Sequence, residues 1–143
     1  MKRYLVIANQ TLSGEGLMNR IRAAAAEGPC SFHLVVPATP PREHLTWEEG
    51  DARARAQARL DEVLARFRSE GIDATGEVGD PSPVLAAVDT LLDRSYDEII
   101  VSTFPPGVSR WLRLSLPDRL ERRFGIPVSH VVVAPSDDRS PAG

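Results

Sequence analysis

Five short apolar runs divide the chain, and a stretch with apolar residues at helical spacing follows each of the first four. Several runs are rich in Val and Ile and nearly continuous in apolar character. That pattern is typical of strands buried on both faces of a parallel sheet. The runs are YLVIA (4–8), FHLVV (32–36), ATGEV (74–78), EIIVS (98–102) and VSHVVVA (128–134).

The intervening stretches predict four helices. The first spans 14–27 and the second about 47–70. The third begins at Ser82-Pro83, because serine is a good N-cap and proline suits the first helical position. The fourth begins near Ser115 and stops before Gly125. We expect the large apolar residues of the third helix to form its buried side: Val84, Leu85, Val88, Leu91 and Leu92.

Strands that alternate with helices imply right-handed crossovers and a parallel sheet covered on both faces. The sequence therefore predicts an α/β fold, a three-layer sandwich around a five-stranded parallel sheet. A chain of 143 residues suits one domain. We expect that domain to span 1–135, and the polar end SDDRSPAG (136–143) to form a flexible C-terminal tail.

Composition excludes several classes of function. The net charge of -3 gives no general attraction to nucleic acid or membranes. No apolar run approaches the roughly 20 residues of a membrane span, and the N-terminus MKRYLVIANQ is too polar for a signal peptide. Cys30 is the only cysteine, and the three histidines lack metal-ligand spacing. We therefore expect a cytoplasmic protein without a metal site.

Ligands of doubly wound sheets bind at the carboxyl ends of the strands, where the strand order reverses. That rule selects the loop after each of the first four strands. In the loop after the first strand, Asn9, Gln10 and Thr11 could contact a base or ribose, or could simply close the strand and open a turn. The four loops are NQTLSG (9–14), PATPP (37–41), GDPS (79–82) and STFPPGVSR (102–110).

The loop after the fourth strand favours an anion site. Ser109 could cap a short helix whose free N–H groups, together with Arg110, hold a phosphate. The alternative is a rigid turn with solvated arginines, because the prolines at 105 and 106 have no N–H to donate.

The same loop contains part of a nucleophile elbow, Gly107-Val108-Ser109, and Asp118 and His130 follow in the order of α/β hydrolases. Trp111 stands where the motif requires its last glycine. We therefore assign no catalytic residue and expect a protein that is not an enzyme, with weak nucleotide hydrolysis left open.

With these loops in place, the chain resembles the universal stress protein family over nearly its whole length. The resemblance rests on the strand alternation, the long second helix, the GDPS turn (79–82) and the ending IPVSHVVV (126–133). It implies the adenine nucleotide alpha hydrolase-like sheet order 3-2-1-4-5. It also implies a homodimer paired through the last strand, Val128 to Ala134.

ATP-binding members of that family carry G-x2-G-x9-G-[ST] after the fourth strand. Here Gly107 stands for the first glycine, while Ser109-Arg110 and Leu114-Ser115 occupy the later positions. The first strand of those members ends in an aspartate, where this chain has Asn9 and Gln10. The chain thus resembles a divergent branch that lacks the full ATP motif.

The loops at the carboxyl edge and the family resemblance together predict a small ligand-binding or regulatory protein. The candidate ligand is ATP, AMP or another anionic metabolite. The alternative is a dimeric interaction module without a small ligand. The resemblance adds Val36, because the family seats the base against the end of the second strand. The candidate ligand contacts are Asn9, Gln10, Thr11, Val36, Thr103, Gly107, Ser109, Arg110 and Ser115.

Overall fold

The computed structural model describes residues 1–12, 14–38, 49–105, 111 and 115–133. Five strands and four helices alternate along these residues, as the sequence predicts. The strands are β1 (Lys2–Ile7), β2 (Cys30–Pro37), β3 (Ala74–Gly79), β4 (Glu98–Thr103) and β5 (Val128–Val132). The helices are α1 (Glu15–Glu27), α2 (Glu49–Ser69), α3 (Pro83–Asp93) and α4 (Leu116–Phe124). The predicted tail, 136–143, lies outside the described residues.

All four strand pairs are parallel, and the sheet order is β3-β2-β1-β4-β5. The predicted α/β fold and strand order are therefore confirmed. Strand β1 lies in the middle, paired with β2 on one side and β4 on the other. Among the described residues, no helix is long and apolar enough to cross a membrane.

Each face of the sheet carries its own hydrophobic core, because successive side chains of a strand point to opposite faces. Helices α1 and α2 cover one face and α3 and α4 cover the other. The first core includes the β-strand residues Tyr4, Val6, Phe32, Leu34, Val36, Ala74 and Ile100. The second includes Leu5, Ile7, Val35, Ile99 and Val101.

The helix ends follow the predicted local chemistry. Ser82 precedes α3, and its Oγ accepts a hydrogen bond from the N–H of Leu85 at 3.3 Å. Gly125 ends α4 with a φ of 65°, a left-handed conformation that glycine adopts without steric cost. Its N–H donates to the carbonyl oxygen of Glu121 at 2.9 Å, which satisfies one of the last acceptors of the helix.

The expected buried side of α3 is partly wrong: Val84 and Leu91 pack half-buried against the second core, but the most deeply buried residues of the helix are others. The helix buries Pro83, Ala86, Ala87 and Thr90, while Leu85 and Leu92 are 52% and 77% exposed. Small residues face the sheet because α3 lies close to β3: a Cβ added to Gly79 would lie 2.9 Å from the Cβ of Ala86. Close approach of helix and strand therefore outweighed side-chain hydrophobicity in setting the rotation of α3.

This packing predicts opposite effects at two positions of α3. Ala86→Leu should lower the free energy of unfolding by about 1–3 kcal/mol, because a larger side chain has no room against Gly79. Leu92→Ala should change it by less than about 0.5 kcal/mol, because Leu92 is exposed. Urea unfolding of both variants measures the difference, and a larger loss in Leu92→Ala would contradict this orientation of the helix.

Candidate functional site at the carboxyl edge of the sheet

The strand order reverses at β1, so the carboxyl ends of β1 and β4 flank the crevice where such sheets bind ligands. The chain leaves β1 in a tight turn. The N–H of Leu12 donates to the carbonyl oxygen of Asn9 at 3.1 Å, and that of Gly14 donates to Thr11 at 3.0 Å. These bonds hold the backbone of 9–12 at the carboxyl edge of the sheet.

Asn9 connects three elements at this edge. Its Nδ2 donates to the carbonyl oxygen of Pro37 at the end of β2, at 2.7 Å. Its Oδ1 accepts a hydrogen bond from Nη1 of Arg59 on α2, at 2.5 Å. Asn9 is only 8% exposed, so both bonds are shielded from water. The result is a positive charge held beside the carboxyl ends of β1 and β2.

A second polar contact links β1 and β4. The Oγ1 of Thr11 lies 2.7 Å from the Oγ of Ser102, and both side chains are buried. One hydroxyl donates to the other, so the pair satisfies buried polar groups and ties the turn after β1 to β4. Thr11 was predicted from the sequence, whereas Ser102, inside the apolar run EIIVS, was missed.

Thr103, at the end of β4, contacts His130 on β5. The hydroxyl of Thr103 donates to the carbonyl oxygen of Phe104 at 2.8 Å, which uses its only proton. The Nε2 of His130 lies 2.8 Å from the same Oγ1 and must therefore carry the hydrogen that it donates there. In this arrangement His130 is a donor to Thr103, and it is not placed to remove a proton from it.

The remaining predicted contacts differ in their surroundings. Gln10 is exposed beside Asn9, and Ser115 is exposed at the start of α4. Val36 is fully buried in the first core, so its side chain packs against the sheet's own helices. The predicted contacts in the loop after β4, namely Gly107, Ser109 and Arg110, lie outside the described residues.

Ser115 has an unusual backbone. Its φ of 56° is in the left-handed region, which non-glycine residues rarely adopt. Its carbonyl oxygen accepts a hydrogen bond from the N–H of Arg119 at 3.0 Å and so starts α4. Trp111, in the same connection, is half-buried against the second core, which indicates a packing role for the indole.

Two of the comparisons with known proteins found no similarity: no family model matches the chain, and no curated protein matches it significantly. Solved structures do match. A universal stress protein in complex with cAMP has a TM-score of 0.59 and 19% identity, over 92% of this chain and 97% of its own.

A universal stress protein from Archaeoglobus fulgidus has a TM-score of 0.63 and 13% identity, over 92% of this chain and 93% of its own. The chain has the universal stress protein fold. A protein of the universal stress protein family from Burkholderia pseudomallei has a TM-score of 0.56 and 14% identity, over 90% of this chain and 94% of its own.

Among the described residues near the carboxyl edge of this universal stress protein fold, His130 has a pKa that departs from its ordinary value. The side chain is exposed, but partial desolvation by its neighbours lowers the pKa of His130, because desolvation penalises the charged imidazolium. The carboxylate of Asp118 on α4 acts in the opposite direction. The neutral ring is therefore the favoured form in the folded protein.

The lowered pKa predicts acid sensitivity. Below about pH 6.5, the ordinary pKa of histidine, the unfolded chain takes up a proton at residue 130 more readily than the folded chain. The stabilisation from neutral His130 is thus complete above that pH and is lost as the pH falls through the folded pKa. His130→Gln keeps an N–H donor for Thr103 but does not titrate.

Thermal unfolding between pH 8 and pH 5 tests this effect. The melting temperature of wild type should fall more steeply on acidification than that of His130→Gln. Parallel pH profiles for the two proteins would contradict the lowered pKa of His130.

Proposed function

We propose that this chain belongs to the universal stress protein family and acts as a small cytoplasmic regulatory protein. Its ligand would be an adenine nucleotide or another anionic metabolite, bound at the carboxyl edge of the sheet. Binding, rather than turnover, is the activity proposed there. The observation that carries the proposal is the guanidinium of Arg59, held beside the ends of β1 and β2 by the buried amide of Asn9.

The charge of Arg59 favours an anion for an electrostatic reason. Arginine stays protonated at all physiological pH values, and its field is screened less beside buried groups than in bulk water. The hydrogen bond to Asn9 also restricts the side chain, which lowers the entropy lost when a ligand binds. Phosphate and carboxylate groups match the planar guanidinium best.

Two further observations support a nucleotide among the possible anions. The buried hydroxyls of Thr11 and Ser102 hold the turn after β1 against β4 at the switch point of the sheet, where a ribose or base would lie. One structural neighbour at 19% identity is a universal stress protein in complex with cAMP. The loop residues Ser109 and Arg110 complete the proposed set of ligand contacts.

Thermal unfolding followed by tryptophan fluorescence tests the proposal. Mg-ATP, AMP, cAMP and inorganic phosphate would each be added at millimolar concentration. A ligand at about 100 times its dissociation constant adds about 2.7 kcal/mol of stability. In a domain of this size, that corresponds to a rise of about 5–10 °C in the melting temperature.

Variants then locate the site. Arg59→Gln should abolish the ligand-induced rise, measured from each variant's own melting temperature, and Arg110→Ala should reduce it. Arg68→Gln, an exposed arginine in the last turn of the same helix, is the matched control and should behave as wild type. An undiminished rise in Arg59→Gln, or no rise with any compound, would refute an anion site at this edge.

A second candidate function is a dimeric interaction module without a small ligand. Within the described part of the chain, strand β5 pairs with β4 alone, so its outer edge has backbone groups without a partner strand there. Val132 on this strand is 48% exposed, although valine is normally buried. Pairing of two copies through Val128 to Ala134 would cover both the backbone edge and the apolar side chains; residue 134 itself lies outside the described residues.

Light scattering at micromolar concentration tests this pairing. Wild type should have the mass of a dimer, and Val132→Lys should shift it toward the monomer, because a charged side chain is costly inside an apolar interface. Leu85→Lys, at an apolar position on α3 that is 52% exposed, should leave the mass unchanged. A monomeric wild type would exclude the dimer.

A further inference from the structure

A polar side-chain set lies on the edge strand β3, away from the crevice between β1 and β4. His33 on β2 stands directly opposite Thr75 in the register of the two strands. Its Nδ1 lies 2.7 Å from the Oγ1 of Thr75, and its Nε2 lies 2.8 Å from the Oε2 of Glu77. A hydroxyl, an imidazole and a carboxylate are thus connected in series.

The hydrogen bonds fix the direction of proton donation. A carboxylate only accepts, so the Nε2 of His33 carries the hydrogen that it donates to Glu77. In the neutral ring, Nδ1 is then the acceptor, and the hydroxyl of Thr75 donates to it. This is the arrangement of a nucleophile, a general base and a carboxylate that orients the base.

Burial favours a fixed base beside an accessible hydroxyl. His33 is 8% exposed, and the ring of Tyr96 is stacked on it at a centroid distance of 6.5 Å and an angle of 21°. Thr75 and Glu77 are both exposed on the strand edge. A reagent can therefore reach the hydroxyl while the packed ring holds its orientation.

The open edge of β3 also supplies a backbone donor. The N–H of Phe32 donates to the carbonyl oxygen of Asp73, and that of Ala38 donates to Gly79. Odd-numbered residues of β3 therefore face β2, since donors and acceptors alternate along a parallel strand. The N–H of Gly76, next to Thr75, points to the side on which no described strand pairs with β3, where it can stabilise negative charge on a substrate oxygen.

We propose that Thr75 is a nucleophile that accepts an acyl group from an activated carboxylic ester, with His33 as its base and Glu77 as a positioning residue. The Oγ1 of Thr75 attacks the ester carbonyl while its proton passes to Nδ1 of His33. The tetrahedral intermediate expels the alcohol, which takes that proton. Water then hydrolyses the acyl-threonine through the same base and releases the carboxylic acid.

The test uses p-nitrophenyl acetate with the full chain. Wild type should release p-nitrophenolate faster than buffer, and peptide mass spectrometry should locate an acetyl group on Thr75. Thr75→Val and His33→Gln should each lose about 100-fold of the enzyme-dependent rate. Thr75→Ser should keep the activity. Ser69→Ala is the matched control and should also keep it, because it removes an exposed hydroxyl on α2 that bonds a backbone carbonyl.

Glu77→Gln tests the positioning role separately. Nitrogen-15 NMR of the His33 ring should show the hydrogen on Nε2 in wild type and a changed tautomer population in the variant, together with a lower rate. Equal rates in wild type and Thr75→Val, or acetylation confined to Lys2 and the N-terminus, would overturn the proposal. Circular dichroism of each variant excludes unfolding as the cause of a lost rate. If Thr75→Val does not fold, the acetylation site in wild type and in Thr75→Ser tests whether residue 75 is the nucleophile.

Discussion

The rest of the structure depends on the in-register pairing of β1 with β2 on one side and β4 on the other. Both neighbours are parallel to β1, so the chain must cross over a face of the sheet after every strand. Because the crossovers are right-handed, reversing the strand order at β1 places helices on both faces. That reversal separates the loops after β1 and β4 and leaves the crevice that Asn9, Thr11 and Ser102 border.

Hydrophobic periodicity was sufficient to predict the strands and helices, because a strand buried on both faces is a short, nearly continuous apolar run. The order of the strands in the sheet came from the family resemblance. The rotation of α3 could not be read in the same way. Two of its three leucines, Leu85 and Leu92, are exposed, while Ala86 and Ala87 face the sheet. The rotation of α3 is set by its short distance from β3, which Gly79 permits. A contact between two elements is not visible in the periodicity of either one.

The candidate site was predicted in part for the same reason. Asn9, Thr11 and Thr103 stand at strand ends, and the rule of the carboxyl edge selects strand ends from sequence. Arg59 was missed because it lies mid-helix beside the buried Leu60, where an arginine is ordinarily solvated. Its role depends on the hydrogen bond to Asn9, 50 residues earlier in the chain. The exposed Ser115 was predicted as a helix start, whereas its left-handed φ could not be predicted.

The two described histidines show how partners, rather than residue type, decide chemistry. In the sequence, His130 follows Ser109 and Asp118 in the order of α/β hydrolases, although no catalytic residue was assigned on that basis. Yet the proton of Thr103 is committed to the carbonyl oxygen of Phe104, so His130 must donate to that hydroxyl. The hydroxyl of Thr75 has no such competing acceptor among the described residues, and the carboxylate of Glu77 takes the hydrogen on the far side of the ring. His33 is consequently left as the acceptor. The register of β2 and β3 places His33 opposite Thr75, where the ring can act as a base. In the sequence these positions belonged only to an apolar run and a weakly predicted strand.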